Sequence, residues 1–467
     1  MSYVLDKELM RKTFSMGENY DNFTHRHAQR IKLFPYLTSN YSIVTSFSAV
    51  IGEWLRLVRD NNTLCPPVDV TIEKVSELLD ADPEDKEIAL HIIRTMFWDR
   101  NGQIKPNGVN PMCYIPCTDS SELKIAHYMC SVLGEQADIK QAINDAVNKA
   151  ISQSNALERV VLTALKSGAE QSKGVESYYS VHTAASQTFL KDLQFVLENA
   201  TRTKEYLVDL LEFYYFFYTA QASLTLSQFE HGQRDKIVPL FFSLDWEKTN
   251  KARLCYTSGW RLLEQSIEQQ FYHVITLEIL NQTPSCEQFD YIAIRDFIVS
   301  NNTETTVAEQ ISIASNLYRN AIFNISSPKA CAELRAIGKN DQLGLAFAEI
   351  NYLYESVRKQ FQYTERASAS DRYVKHFRTF CHEKFLKNRK SNGLMLNITE
   401  EFLIFLTKLA IKNEEHMSLN EVFRQFELRG VFLDQPSRNE VVKFYTKLNL
   451  IDKKSDSGDA QYVKRIL

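Results

Sequence analysis

The distribution of proline along the chain is the feature that most restricts its fold. Seven of the eleven prolines lie within the first 116 residues, and no other follows until Pro239. A second proline-free stretch separates Pro328 from Pro436, and neither glycine nor proline occurs between Gly344 and Gly393. Because nothing in these stretches removes a backbone donor or requires an exceptional φ, they permit long helices.

The spacing of apolar residues and the low content of turn residues agree with a mainly α fold. Only 14 glycines and 11 prolines occur in 467 residues, about half the usual share, which argues against collagen-like, low-complexity and turn-dense all-β chains. Strand-like alternation is nearly absent before the C-terminus. Apolar residues recur at helical spacing at Leu190, Leu193, Leu197, Leu207, Leu211, Tyr214 and Tyr218.

Three parts are predicted from this pattern. Residues 1–118 form a mixed, loop-rich N-terminal region, and residues 119–392 form a long-helix domain that is interrupted at 238–250 and near two later prolines. The stretch KSNGL at 390–394 is predicted to be a linker, because it is polar and contains glycine. Residues 393–467 then form a compact C-terminal module.

Charge and hydropathy indicate a soluble protein of the cytoplasm. The chain has 54 Lys+Arg and 58 Asp+Glu, a net charge of −4, which argues against a uniformly basic surface. Its first residues lack the basic and apolar segments of a signal peptide. The most apolar stretch, 207–226, contains Asp209, Glu212 and Gln221, so we expect a buried helix and no membrane contact. Without export, the eight cysteines are expected to stay reduced.

The C-terminal module has the clearest local signals. Thr399 is placed to cap a helix, Ser418 with Glu421 forms a capping box for a second, and Ser437 with Glu440 forms one for a third. The remaining residues read as a strand, a polar turn and a closing strand. Three short helices followed by a β-hairpin are the winged-helix arrangement.

A winged helix binds either DNA or another protein, and the charge of this one favours protein. In a DNA-binding version the third helix enters the major groove. Residues 396–467 contain 11 Lys+Arg and 11 Asp+Glu, whereas duplex binding relies on phosphate neutralisation. The DNA-binding alternative places on the third helix and the wing Ser437, Arg438, Asn439, Lys443, Lys447, Lys453 and Lys454.

A basic segment with interleaved aromatics precedes the module. Residues 364–392 contain eight Lys+Arg against three acids. We favour a solvated helix with a buried aromatic stripe, at Tyr373, Phe377, Phe380 and Phe385. The alternative is contact with the phosphate backbone of a nucleic acid, which needs only point charges. The candidate DNA-contacting residues are Arg372, Lys375, Arg378, Lys384, Lys387, Arg389 and Lys390.

Two groups of residues have the chemistry of metal or phosphate sites. Cys113, Cys117, His127 and Cys130 lie within eighteen residues, and thiolate and imidazole are the ligands that zinc prefers. The interpretation we favour is that these cysteines are small buried apolar residues and that no cofactor is bound. The run Thr24–His27 sets two imidazoles beside an arginine, but it lacks a supporting carboxylate and is predicted to be a surface helix start.

Common catalytic motifs are missing from the sequence. It contains no G-x-x-x-x-G-K-[ST], no G-x-G-x-x-G and no G-x-S-x-G, the patterns of P-loop NTPases, dinucleotide-binding folds and α/β-hydrolases. With so few glycines, a phosphate-cradling loop is not expected. The sequence therefore predicts a protein that is not an enzyme.

Two stretches resemble a known family. The run KLNLIDKKSDSGDAQYVKRIL at 447–467 and the run LFFSLDWEKTNKARLCYTSGWRLLEQ at 240–265 are similar to DptG, a subunit of the bacterial restriction apparatus tied to DNA phosphorothioation. The resemblance covers about a tenth of the chain and includes no catalytic signature. It implies a non-catalytic subunit that works with a separate ATPase/helicase-like protein and a third subunit to restrict DNA lacking the sulfur modification, as an antiviral defence.

Three hypotheses follow. The first is an assembly and DNA-contacting subunit of such a complex; the second is a winged-helix DNA-binding regulator; the third is a zinc-containing nucleic-acid enzyme. For the first, Trp and Arg are the residue types enriched at interface hot spots. The predicted partner-contacting residues are Trp246, Glu247, Lys251, Arg253 and Trp260, with core tryptophan and ordinary surface charges as the alternative.

Overall fold

The computed structural model of the chain is mainly α-helical. It describes residues 3–20, 22–39, 42–61, 63, 65–105, 108–133, 136–166, 168, 176–198, 203–340, 342–364, 366–453 and 461–466. Within these residues helices predominate and only a few small sheets occur, so the mainly α prediction is confirmed. Of the described helices, not one is both long enough and apolar enough to cross a membrane.

The N-terminal region consists of short helices joined by irregular chain. Its helices are α1 (Lys7–Thr13), α2 (Val50–Arg59), α3 (Val68–Leu78), α4 (Pro83–Phe97) and α5 (Val109–Met112). Pro83 is the first residue of α4. The backbone N–H that proline lacks would have no partner within the helix at this position, so proline is tolerated there. Helix α2 is buried along almost its whole length. Its two charged residues in that buried part, Glu53 and Arg56, neutralise each other at 2.6 Å.

Long helices fill the middle of the chain, where prolines are scarce. They are α6 (Ser120–Val132), α7 (Gln136–Gln153), α8 (Ala156–Leu165), α9 (Ala184–Glu198), α10 (Thr203–Leu226), α11 (Leu254–Thr257), α12 (Trp260–Leu280), α13 (Tyr291–Asn301), α14 (Glu304–Ile325), α15 (Pro328–Arg335), α16 (Leu345–Gln362) and α17 (Ala367–Phe385). Breaks occur before Tyr291 and at Pro328, close to where the prolines predicted them.

Helix α10 is the central buried helix, as its apolar sequence predicts. Residues 210 to 226 are buried continuously, including six consecutive aromatic side chains from Phe213 onwards. The polar Gln221 is satisfied there because its side chain donates to the Val238 carbonyl at 2.9 Å and accepts from the Val238 N–H at 2.8 Å. This pair also fixes the chain where it leaves the helices and becomes extended.

The C-terminal elements alternate short helices and strands. They are α18 (Glu400–Ile411), β5 (His416–Ser418), α19 (Leu419–Glu427), β6 (Val431–Phe432), α20 (Gln435–Lys447), β7 (Ile451–Lys453) and β8 (Gln461–Lys464). Strand β8 lies between β5 and β7 and is antiparallel to both. Four further strands precede them in the chain: β1 (Leu240–Phe241), β2 (Ser243–Leu244), β3 (Leu386–Asn388) and β4 (Leu394–Ile398).

Two of the three predicted helix caps are confirmed. Thr399 caps α18 by accepting from the Phe402 N–H, and Ser418 caps α19 by accepting from the Glu421 N–H. The third prediction is wrong, because α20 begins earlier and its N-cap is Asp434, which accepts from the Ser437 N–H.

The face of α20 that packs inward differs from the predicted one at its C-terminal end. The apolar spacing predicts that Val441, Val442, Tyr445 and Leu448 point inward. Val441 and Tyr445 are buried, and Val442 is half-buried. Leu448, predicted to point inward, is 42% exposed, and Phe444 is buried in its place. The earlier start of α20 does not explain this exchange, because the spacing of residues along a helix is independent of where the helix begins. Which of Phe444 and Leu448 is buried depends on the neighbouring elements that cover the last turn.

Short parallel pairings connect the C-terminal elements to the middle of the chain. Strand β1 pairs with β6, and β2 pairs with β4, both in parallel. Strands β3 and β4 form an antiparallel hairpin whose turn contains Lys390 and Gly393, both at positive φ. The segment 390–394, predicted as a linker, is thus the turn of a hairpin, while the three-part division of the chain stays a prediction.

Candidate nucleic-acid interface

One side of α20 is a continuous polar surface. Gln435, Asn439, Lys443 and Lys447 are exposed at four-residue spacing, so they share one side of the helix. We call these four residues the α20 face. The Gln435 amide donates to the Asn439 side chain at 3.0 Å, and Lys443 pairs with Glu440 at 2.7 Å. The surface therefore offers amides and ammonium groups, partly neutralised by one carboxylate.

Other predicted contacts of the third helix are occupied within the protein. Ser437 is completely buried, so its predicted exposure is wrong. Arg438 donates to the Leu433 carbonyl at 3.0 Å, pairs with Glu427 and lies over the Phe423 ring. The side chain of Lys453 and the whole of Lys454 lie outside the described residues. Of the basic candidates in the module, Lys443 and Lys447 are the exposed ones among the described residues.

The opposite side of α20 is fixed to the segment that follows β2. The rings of Trp246 and Phe444 stack with centroids 5.0 Å apart. Ser437 Oγ donates to Glu247 Oε1 at 2.9 Å, and Glu247 also accepts from the Leu244 N–H at 3.0 Å. These contacts lie inside the predicted partner-contacting stretch, which therefore serves as an internal junction.

A network centred on Arg253 completes this junction. Its guanidinium donates to both carboxylate oxygens of Asp434, at 2.6 and 2.7 Å, and lies 3.3 Å from Glu247. Burial alone would raise the pKa of Asp434, but the hydrogen bonds from Arg253 and from the Ser437 N–H outweigh it and lower that pKa. The hydrogen bonds to Asp434 also raise the pKa of Arg253. The Asp434 carboxylate that caps α20 is therefore held in its charged form.

Four of the five predicted partner-contacting residues are thus engaged internally. Glu247 is 7% exposed and Trp260 is 2% exposed, so the prediction of exposed side chains is wrong for both. For Trp260 the alternative, a core tryptophan, is confirmed. Arg253 belongs to the network just described. Trp246 is half-buried against α20, and only Lys251 of the five is exposed. The types of residue that favour an interface are present, but the protein uses them to attach its own C-terminal elements.

A second and more deeply buried network attaches the C-terminal elements to α9 and α10. Arg429 donates to both oxygens of Asp192, at 2.6 and 2.7 Å, and Lys412 Nζ lies 2.9 Å from the same carboxylate. The Tyr214 hydroxyl donates to Asp192 at 2.7 Å. Asp192 is fully buried and Arg429 is 2% exposed. The sequence does not point to this pair, because 237 positions separate its members.

In the basic segment, the buried aromatic stripe is confirmed. Tyr373, Phe377, Phe380 and Phe385 are all buried. The cations are less available than predicted, because three pair with acids: Arg378 with Glu268, Lys384 with Glu212, and Lys387 with Asp245. Other charges of the segment are exposed, at Arg372, Lys375 and Lys390.

The guanidinium of Arg389 is bound within the protein and is not free to contact DNA. Its guanidinium donates to the Leu244 carbonyl at 2.5 Å, to the Asp245 carbonyl at 3.1 Å and to the Asn397 side chain at 2.8 Å. Burial lowers its pKa despite the acids nearby. Since β2 and β4 are only short, this side chain supplies hydrogen bonds that hold them together.

The predicted zinc ligands are not assembled into a site. In the part of the chain that the structure describes, no three His, Cys, Asp or Glu side chains are placed to hold a metal ion. Cys113 Sγ accepts from Arg59 at 3.4 Å, and His127 Nδ1 accepts from the Glu176 N–H at 3.2 Å. Burial raises the pKa of the Cys130 thiol to about 11, which disfavours the thiolate that zinc requires.

The two histidines of the 24–27 run separate into different environments. The segment is not a helix start but irregular chain without assigned secondary structure, so that prediction is wrong. His25 contacts the Tyr318 hydroxyl at 3.0 Å and Arg366 at 2.9 Å, and burial holds its pKa well below the usual value. His27 lies against the rings of Phe271 and Tyr373. Both histidines line the same surface cavity.

Comparison with known proteins adds no relative. We find no protein-family model that matches the chain, and no curated protein that matches it.

Proposed function

We propose that the protein is a non-catalytic assembly and DNA-contacting subunit of a bacterial restriction complex that responds to DNA phosphorothioation. Its partners in the cytoplasm are an ATPase/helicase-like protein and a third subunit. The proposal rests on the resemblance of residues 240–265 and 447–467 to DptG, which implies this role. The observation that carries the DNA contact is the exposed α20 face.

The α20 face has the chemistry of a DNA-reading helix. Lysine ammonium groups contact phosphates or guanine, and asparagine and glutamine amides contact adenine in the major groove. Gln435, Asn439 and Lys443 present these groups on one side of a helix whose other side is fixed by Trp246 and Glu247. A face held in this way meets DNA without first having to become ordered.

We further propose that α18 to β8 form a winged helix. The order is α18, β5, α19, β6, α20 and the β7–β8 hairpin, and β8 lies between β5 and β7 while the short β6 pairs with β1. The three helices and the three-stranded sheet support this assignment. In that arrangement α20 is the recognition helix and the β7–β8 connection is the wing. The balanced charge of the module implies that neighbouring subunits supply much of the affinity for the duplex, since phosphate neutralisation dominates DNA binding.

Binding of duplex DNA tests the proposal. The full chain, alone and with co-purified partners, is titrated with fluorescent duplex across a salt series, and the double variant Lys443→Glu/Lys447→Glu is compared with Lys7→Glu/Lys329→Glu. Loss of two phosphate contacts reduces the salt slope by about 2, whereas the control pair of exposed lysines leaves it unchanged. Equal binding by both double variants contradicts the DNA contact at α20.

The assembly role has a separate test. The tagged full chain, isolated from its native host, is expected to recover an ATPase/helicase-like protein. A chain that binds duplex alone with sequence preference and recovers no partner is instead a winged-helix regulator, the second candidate, which the amide-bearing α20 face supports.

A further inference from the structure

A cavity lined with cations lies on the N-terminal side of the molecule. It has a volume of about 370 Å³ and is bounded by residues 25–29, by Lys32 and residues 34–38, by Lys124 of α6, and by Glu176 and Tyr178. That size falls within the range of small-molecule sites. The lining includes part of the 24–27 run, whose imidazoles and arginine suggested phosphate chemistry from sequence.

The chain that bounds the cavity is held in place from behind. Buried Glu278 accepts hydrogen bonds from the backbone N–H groups of Gln29, at 3.1 Å, and Arg30, at 2.9 Å. The Arg30 side chain donates to the carbonyls of Thr283 and Ser285 at 2.7 and 2.6 Å. The cavity therefore does not depend on a ligand to hold this wall in shape, which is what a preformed site requires.

Two lysines from different parts of the chain converge on one carboxylate inside the cavity. Lys32 Nζ and Lys124 Nζ each lie 3.2 Å from Glu176, and the three side chains are between 25% and 36% exposed. Burial alone would raise the pKa of Glu176, but the two lysines outweigh it and lower that pKa. Arg26 also lines the cavity, so the lining carries more positive than negative charge.

The rest of the lining is apolar or neutral. Phe34, Pro35 and Tyr36 are buried. Burial and the neighbouring Lys124 lower the pKa of His27 to about 4, so its imidazole is neutral at physiological pH. A ligand with both an anionic group and a flat apolar part fits this combination.

We propose that this cavity binds the phosphate group of a nucleotide. Lys32, Lys124 and Arg26 contact the phosphate oxygens, and the aromatic lining contacts the sugar or base. In this arrangement Glu176 occupies the anion position in the absence of ligand and keeps the two lysines together. When the nucleotide binds, its phosphate replaces the Glu176 carboxylate as the partner of the two lysine ammonium groups. The site is separate from the α20 face and does not depend on the function proposed for that face.

Calorimetric titration of the full chain tests the site with three ligands: inorganic phosphate, dAMP and a 5′-phosphorylated single-stranded oligonucleotide. We expect dAMP to bind more tightly than phosphate, because only dAMP reaches the aromatic lining. Binding of the oligonucleotide at the same affinity identifies the source as a DNA end, whereas binding of dAMP alone identifies a free nucleotide. A dephosphorylated oligonucleotide is the control for these three ligands, and the proposal is overturned if it displaces bound dAMP as well as the phosphorylated one does.

Variants with opposite expected effects distinguish a ligand site from a structural ion pair. Lys124→Gln removes a charged hydrogen bond and is expected to weaken dAMP binding at least about tenfold. Glu176→Gln removes the competing anion and is expected to tighten it about fivefold. If the three side chains only stabilise the fold, both variants are expected to bind dAMP more weakly than wild type. Lys359→Gln, which breaks a lysine–glutamate pair of similar length and exposure with Glu333, is the control and leaves binding unchanged.

The proposal is overturned if dAMP and phosphate both fail to bind the folded wild-type chain at millimolar concentration. It is also overturned if Glu176→Gln, shown to be folded by its thermal transition, binds dAMP more weakly than wild type.

Discussion

Two ion networks attach the C-terminal elements to the helical body, and they differ in their access to water. At Asp192 the carboxylate is fully buried and its partner Arg429 is 2% exposed. At Asp434 the partner Arg253 reaches solvent, with 11% of its side chain exposed. Both pairs are bidentate, with shortest distances of 2.6 Å. The geometry is therefore nearly equal, and the burial of the charges distinguishes them.

This difference decides what each network contributes. A buried ion pair offsets a large desolvation cost, so removing one partner leaves an uncompensated charge inside the protein. At a site with access to water, the partner left behind is partly rehydrated. Loss of one partner is accordingly expected to destabilise the protein more in the Asp192 network than in the Arg253 network, which orients α20. Asp192→Ala, Arg253→Ala and Gly430→Ala test this comparison, and Glu278→Gln adds a buried carboxylate that lies outside both networks.

Asp192→Ala is expected to have the largest effect. It leaves Arg429 buried without its carboxylate and is expected to lower the free energy of unfolding by about 3–5 kcal/mol. Urea denaturation followed by circular dichroism measures the loss. Asp296→Ala, in an exposed pair with Arg295, is the control and is expected to change stability by about 0.5 kcal/mol or less. A similar small loss for Asp192→Ala contradicts the importance of burial.

Glu278→Gln tests a buried carboxylate that accepts mainly from backbone N–H groups. Burial raises the pKa of Glu278 to about 7, above the value of about 4.3 in an unfolded chain. Between these values the folded state binds more protons, so wild-type stability falls as pH rises, by up to about 4 kcal/mol. Below that window the contribution is complete, and above pH 7 it is lost.

A glutamine side chain does not titrate, so the Glu278→Gln variant lacks this part of the pH dependence. Unfolding is measured at acidic and at mildly alkaline pH for wild type, for the variant and for the exposed-site control Glu268→Gln. The expected result is that the slope of stability with pH changes only in Glu278→Gln. Identical slopes for all three proteins show that Glu278 is ionised in the same range as an ordinary glutamate.

Arg253→Ala measures the less buried network directly. It removes both hydrogen bonds to Asp434 and is expected to cost about 2 kcal/mol, less than Asp192→Ala. Because the pKa of Asp434 is lowered, the network's contribution is present above the ordinary Asp value and is lost as pH falls. Arg424→Ala, in an exposed pair with Glu421, is the control. A loss that equals that of Asp192→Ala removes the distinction between the two networks.

Local features of this fold are predictable from sequence, and features that depend on distant contacts are not. The caps at Thr399 and Ser418 accept from N–H groups three positions away, and they are confirmed. At the third helix, Asp434 and Ser437 are both good N-caps, and local sequence does not decide between them. The predicted exposure of Glu247 and Trp260 is wrong for another reason, because the exposure of a side chain depends on which distant parts of the chain pack over it.

The candidate sites show the same limit. The basic segment is visible as composition, but the pairing of Lys384 with Glu212 joins residues far apart in the chain. The phosphate chemistry at 24–27 is visible as residue types. Its carboxylate, Glu176, is about 150 positions away, and no spacing rule connects the two.

Gly430→Ala is expected to have the smallest effect. It tests the turn directly after Arg429, where the backbone lies close to α10. Gly430 has a φ of +75°, and a Cβ there would lie 2.6 Å from the Phe217 ring of α10. The strained backbone is expected to cost about 1–2 kcal/mol, provided that a small shift of the turn relieves the contact with the buried Phe217 ring. Gly338→Ala, where a Cβ meets nothing within 4 Å, is the matched control and is expected to be neutral or slightly stabilising. If Gly430→Ala costs as much as Asp192→Ala, the close approach of this turn to α10, and not the buried ion pair, is the principal attachment of the C-terminal elements.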